Sequence, residues 1–189
     1  DRLVTVQPRR THGRDGLAAV LVNDTDERWT GDVVVQRLAD DGTELAKTRD
    51  RVDVAPRATR TLPLPDDVAT AGEEAGELVR APLGDARGLW FFAEPRDSAL
   101  AAPALRTTVE PVGDGYRVRV AAQNLVRDLT LLADRLHPDA RVDDQLVTLL
   151  PGEEVTLHVS VPDGVTLDAA AMTAPRVLRS LNQLVVAGR

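Results

Sequence analysis

The chain contains no cysteine, one lysine (Lys47), one methionine (Met172) and five aromatic residues in 189 positions. Without cysteine there is neither a disulfide nor a thiolate metal site, which excludes the disulfide-pinned antibody sandwich but leaves its disulfide-free relatives open. Because Met172 is the only methionine, Asp1 is not a translation start, and the chain is expected to be a processed or excised piece of a longer product. No run approaches the ~20 apolar residues of a membrane span. No signal peptide is visible, though processing would have removed one; a bacterial cytoplasm is the favoured expectation.

Basic patches are missing as well. Residues 1–102 carry 14 basic and 19 acidic side chains, and residues 103–189 carry 9 and 11. Neither half shows a cationic stripe, so neither nucleic acid nor membrane is an expected partner. No glycine-rich phosphate cradle and no Gly-x-Ser-x-Gly nucleophile motif occurs. His12, His137 and His158 lack ligand spacing, so no cofactor and no metal is expected.

What the chain does have is a repeat. Thr5-Val6-Gln7-Pro8 returns as Thr108-Val109-Glu110-Pro111, and Leu64-Pro65-Asp66-Asp67-Val68 returns as Val161-Pro162-Asp163-Gly164-Val165. An offset near a hundred residues indicates duplicated domains rather than a solenoid. Alternating apolar residues bounded by Gly, Pro, Asn and Asp predict strands at 3–7, 17–22, 32–38, 44–48, 51–54, 59–64, 78–80 and 89–93. In the second copy they predict 105–110, 116–122, 128–132, 146–150, 155–161 and 178–184. Asp40-Asp41-Gly42-Thr43 reads as a hairpin turn, and one helical turn per copy is expected, at 66–70 and 168–173. The fold class is therefore all-β, two tandem immunoglobulin-like antiparallel sandwiches at 1–98 and 105–189, joined by a linker at 99–104.

Several segments are similar to a known family. Residues Leu3-Val4-Thr5-Val6-Gln7-Pro8, Leu21-Val22-Asn23-Asp24-Thr25 with Trp29-Thr30-Gly31, and Leu89-Trp90-Phe91-Phe92-Ala93-Glu94-Pro95 resemble the C-terminal region of glycoside hydrolase family 2 β-mannosidases. So do residues 144–153 and the terminal Leu178-Arg179-Ser180-Leu181-Asn182. The resemblance implies two immunoglobulin-like domains that follow a catalytic (β/α)8 barrel in a bacterial, retaining exo-β-mannosidase acting on terminal β-D-mannose. Both catalytic glutamates would lie on the barrel, outside this chain, so no catalytic residue is carried over. The implied partner is that barrel. The alternatives are a carbohydrate-binding or adhesion module meeting a mannose-containing glycan, and the accessory domains of another family 2 enzyme, a β-galactosidase or β-glucuronidase.

Each candidate site has a plainer reading. The adjacent carboxylates Asp66-Asp67, Glu73-Glu74, Asp143-Asp144 and Glu153-Glu154 fall in predicted turns. Neighbours on an extended chain point to opposite sides, so they would not converge on one glycosidic oxygen. Asn23-Asp24-Thr25-Asp26-Glu27 offers oxygen ligands for Ca²⁺ but lacks the glycine and distal glutamate of an EF-hand loop. Residues 9–14, Arg-Arg-Thr-His-Gly-Arg, read as a solvated basic loop. Trp29 runs in phase with Val33 and Val35, which favours a core ring; it is the one candidate sugar contact. Trp90, Phe91, Phe92 and Tyr116 are assigned to packing, which leaves too few rings for a sugar-stacking platform.

Overall fold

The computed structural model describes residues 1–11 and 13–188; His12 lies outside the described residues. The chain divides into two compact units, the first made of Asp1–Ala39 and Thr43–Ser98, the second of the residues from Ala99 onward together with Asp40–Gly42.

In the first unit, β1 (Arg2–Thr11), β2 (Arg14–Asn23) and β5 (Ala58–Pro63) form one antiparallel sheet, ordered β1-β2-β5. The other is β4-β3-β6-β7, from β3 (Trp29–Ala39), β4 (Glu44–Val54), β6 (Glu77–Leu83) and β7 (Ala86–Phe91). Period-2 alternation decides which side chains meet between the sheets. Val4, Val6, Ala19, Leu21 and Leu62 come from the first sheet, and Trp29, Val33, Val35, Val52, Val54, Val79 and Ala81 from the second. The short helix α1 (Asp66–Ala69) adds Val68, which is fully buried.

Two expectations here need correction. Residues 44–54 form one strand, not two, because β4 is the outer strand of its sheet and so accommodates Arg49, Asp50 and Arg51 without burying them. Arg9 and Arg10 are not loop residues; they extend β1, paired with Gly16 and Asp15. The Asp40-Asp41-Gly42-Thr43 turn forms as expected, with Gly42 at φ +89° and the Ala39 N–H donating to Thr43 O at 2.9 Å.

In the second unit, β8 (Leu105–Val112), β9 (Gly115–Ala122), β11 (Arg141–Val142) and β13 (Glu154–Ser160) form a sheet ordered β11-β13-β9-β8. The facing sheet is β12-β10-β14, built from β10 (Val126–Leu131), β12 (Val147–Leu149) and β14 (Leu178–Arg179). Val118, Val120, Leu157 and Val159 meet Val126, Leu129, Leu131, Leu149 and Leu178 between them. Met172, on helix α2 (Ala169–Met172), is fully buried in the same core. Gly115 opens β9 where a Cβ would run into the Val159 carbonyl oxygen, so no other residue fits that close approach. The all-β, immunoglobulin-like sandwich expected from the alternation is the architecture observed, and the repeated tetrapeptides lie on β1 and β8, the first strand of each unit.

The predicted strand at 178–184 is mostly a helix. After the two residues of β14 the chain turns into α3 (Leu181–Ala187), whose start is fixed when the Ser180 N–H donates to Gln183 Oε1 at 3.0 Å. Leu178, Leu181 and Leu184 recur every third residue, a helical spacing rather than an alternating one. The two-residue β11 was not expected; it is too short to show a pattern.

Candidate functional site

Most sequence candidates turn out to have structural partners. The Asp24 and Asp26 carboxylates, read as calcium ligands, are taken up by Arg57, whose guanidinium lies 2.7 Å from Asp24 and 2.9 and 3.1 Å from Asp26. These bonds, to Asp26 first and then Asp24, hold the Arg57 pKa above its ordinary value. Asn23 is buried between the two turns at this end of the unit. Its Nδ2 donates to Glu27 O, Ala55 O and Val54 O, and its Oδ1 accepts from Thr25 Oγ1 at 2.7 Å. An oxygen-rich loop is thus explained by a satisfied buried amide.

Three of the adjacent carboxylates accept backbone N–H groups nearby. Glu153 Oε2 accepts from Leu150 N, Asp143 Oδ1 from His158 N, and Asp144 Oδ1 from Gln145 N. Asp66 and Asp67 sit in the first turn of α1. His137 accepts the Asp139 N–H within its own turn, and His158 stands on β13. Among the described residues, no group of three or more His, Asp or Glu could hold a metal ion.

Glu77 is a well-enclosed carboxylate held in an ion pair. It bonds Arg37, whose side chain is 16% exposed against 9% for Glu77, and accepts from Glu73 N at 2.8 Å and Gly72 N at 3.2 Å. Burial pushes its pKa up, but the Arg37 bond and the two backbone N–H groups outweigh it, and the net shift is downward. Arg37 Nε also donates to Asp67 O at 2.9 Å, so the pair fastens β3 and β6 to α1 and the 72–73 loop.

Among the described residues, two concave surfaces bear on these candidates. One, of about 290 Å³, is lined by Arg2, Trp29, Leu83, Gly84, Asp85 and Ala86. Trp29 itself is only 5% exposed and belongs to the core, with the Arg2 guanidinium carbon 5.8 Å from the ring centroid. A sugar stacked on an aromatic face needs that face open, whereas Trp29 is almost wholly buried. Trp90 and Phe92 likewise pack against the first core, and Tyr116 is buried, its hydroxyl accepting from Leu167 N at 2.8 Å.

The second, of about 320 Å³, lies in the second unit between β10, the residue before β12, and α3. Leu132, Leu146, Leu181 and Leu184 line it, with Asp128, Thr130, Arg135 and Arg179 at its margins. Leu146 is 68% exposed and Leu184 57%. Sequence reading missed this groove because it assigned 178–184 to a strand. The spacing of Leu181 and Leu184 and the Ser180–Gln183 capping signature were the available signals.

The comparisons agree with the geometry of this unit. Residues 100–183 match the Ig_mannosidase family, described as an Ig-fold domain. The second unit is a mannosidase-type Ig domain. Among curated proteins, no sequence match was found. Among solved structures, the chain is similar to a β-D-mannosidase from Dictyoglomus thermophilum, with TM-score 0.68 and 17% identity, covering 95% of this chain and 21% of that one. It is also similar to an exo-chitosanase from Amycolatopsis orientalis, with TM-score 0.51 and 17% identity, over 84% of this chain and 24% of that one. At these identities the likeness is one of fold. The chain spans about a fifth to a quarter of the solved chains it resembles. In the mannosidase-type domain, residues 100–104 are tied down by side-chain amides: Asn124 bonds Ala102 O and Ala104 N, and Asn182 bonds Ala101 O.

Proposed function

We propose that this chain is the non-catalytic accessory region of a retaining exo-β-mannosidase of glycoside hydrolase family 2. It comprises sandwiches at 1–98 and 105–189 and a linker at 99–104, carried by a polypeptide whose catalytic barrel lies outside these residues. The observation that carries this reading is the mannosidase-type Ig domain at 100–183. Purified alone, the chain should leave an aryl β-mannoside intact, while the polypeptide that carries it should hydrolyse that substrate. Turnover by the isolated chain would overturn the accessory role. Preference of the parent for an aryl β-glucosaminide would move it to the exo-chitosanase type, and preference for a β-galactoside or β-glucuronide to those enzymes.

A second reading, a carbohydrate-binding module, has one observation in its favour: the depression in which Arg2 and Asp85 flank Trp29. It requires manno-oligosaccharide binding that weakens in Asp85→Asn. Absence of heat in calorimetry at millimolar sugar removes it.

A further inference from the structure

The groove beside α3 is unusual in how it is built. Among the described residues, the non-glycine residues with positive φ are Arg57, Asp128 and Leu146, and two of them line it: Asp128 at +54° and Leu146 at +57°. A γ-branched residue in the left-handed region is strained, and such strain concentrates at functional positions. For Leu146 it gains no burial, since the side chain stands in solvent.

The neighbouring residue holds it there. The Gln145 side chain acts as a strand residue toward β10, its Oε1 accepting from Leu131 N at 3.2 Å and its Nε2 donating to Leu131 O at 2.9 Å. Across the groove Val185 is buried while Leu184 and Val186 are exposed, so α3 presents apolar side chains outward as well as inward. Four leucines thus form a concave apolar surface whose shape is fixed by hydrogen bonds.

Its margin is cationic although the chain is net acidic. Asp128 faces Arg127 at 3.8 Å, which leaves Arg135 and Arg179 as the net charge of the rim. Arg135 is braced there by donating to Arg176 O at 2.6 Å. A second copy docking by the same face would set arginines against arginines, at a cost in free energy. A carboxylate-bearing partner would be attracted.

We propose that the groove walled by Leu132, Leu146, Leu181 and Leu184 docks an apolar segment bearing carboxylates, contributed by the parent polypeptide outside these 189 residues. This rests on the accessory-region reading above only in requiring a parent chain, not in what that chain hydrolyses.

Hydrogen exchange compared between the 189-residue chain and the full polypeptide that carries it tests the proposal. Amides at 144–150 and 181–186 should exchange at least about tenfold more slowly in the full polypeptide, while the 113–115 turn is unchanged. Leu146→Gly, which suits the left-handed backbone, combined with Leu184→Gln should restore fast exchange in the full polypeptide. The same pair should not lower the melting temperature of the 189-residue chain, since glycine relieves the strain at position 146. Arg135→Glu with Arg179→Glu should act likewise. Equal exchange in both proteins overturns the proposal. Protection in the isolated chain that grows with concentration, together with sedimentation as a dimer, overturns it in favour of self-association. A full polypeptide that protects the groove but cleaves no β-mannoside refutes the function proposed above and leaves the docking surface standing.

Discussion

The two units solve one packing problem in different ways. In the first, the sheet containing β3 is completed by a hairpin: β6 pairs with β7 over six residue pairs, from Leu78–Phe91 to Leu83–Ala86. In the second, the corresponding sheet has only two pairs between β10 and β14, and α3 follows directly. Backbone ladder is replaced by side-chain amides. Asn182 is fully buried on α3; its Nδ2 donates to Ala101 O and Leu125 O and its Oδ1 accepts from Arg127 N. Together with Asn124 and Gln145, it supplies to the backbone what a further strand would have supplied. A ladder spreads its bonds over many residues, so no one residue is indispensable. A buried amide concentrates several bonds on one atom group, and its removal orphans them together.

The largest expected effect follows from that contrast. Asn182→Ala leaves two carbonyls and one N–H without their partner and should destabilise the second unit by about 3–5 kcal/mol. Urea unfolding followed by peptide-level hydrogen exchange should place the loss in residues 99–188 and not in the first unit; a uniform loss would contradict the division of labour. Next comes Glu77→Gln, which removes the charge that meets Arg37 and should cost the first unit about 2–3 kcal/mol. It also predicts a pH dependence. The folded pKa of Glu77 lies below the ordinary 4.5. Its contribution is therefore complete above that value and disappears as the pH falls through the lower, folded pKa. Acid unfolding of Glu77→Gln should lack this component, while the second unit keeps its wild-type profile. The smallest effect is that of Gln145→Ala, about 1–2 kcal/mol from two bonds to a single residue at a partly exposed position. Stability changes in that variant should be confined to the amides of Leu131 and residues 146–149.

The same contrast explains what was legible in the sequence. In the first unit both faces of most strands announce themselves: Val33 and Val35 alternate with Val34 and Gln36, and Trp29 falls in phase and is buried as expected. Charges misled twice: on the outer strand β4 they hide its continuity, and at Arg9 and Arg10 they hide the extension of β1. In the second unit the fold class and the repeated first strand were legible, but the amides were not. Nothing in the composition distinguishes Asn182 or Gln145 from a solvated surface residue, since what matters is the backbone group each one meets, as far as 81 positions away in the case of Ala101. The groove was illegible for a related reason. Leu178 to Leu184 fits a short strand if only apolar content is counted, and a helix if spacing and the Ser180–Gln183 pair are counted. The left-handed turn at Leu146 has no sequence mark at all, because glycine is the residue that usually announces one.

The bond from Asn182 to Ala101 also bears on the order in which the chain folds as it is made. The first unit has its closing hairpin by Phe91, so a nascent chain can complete that sandwich while the second is still being synthesised. The second unit cannot finish in the same progressive way. The start of its segment waits for a side chain 81 residues later, so a ribosome pausing before Asn182 would hold out a sandwich with Ala101 and Leu125 unmet, a natural client for a chaperone.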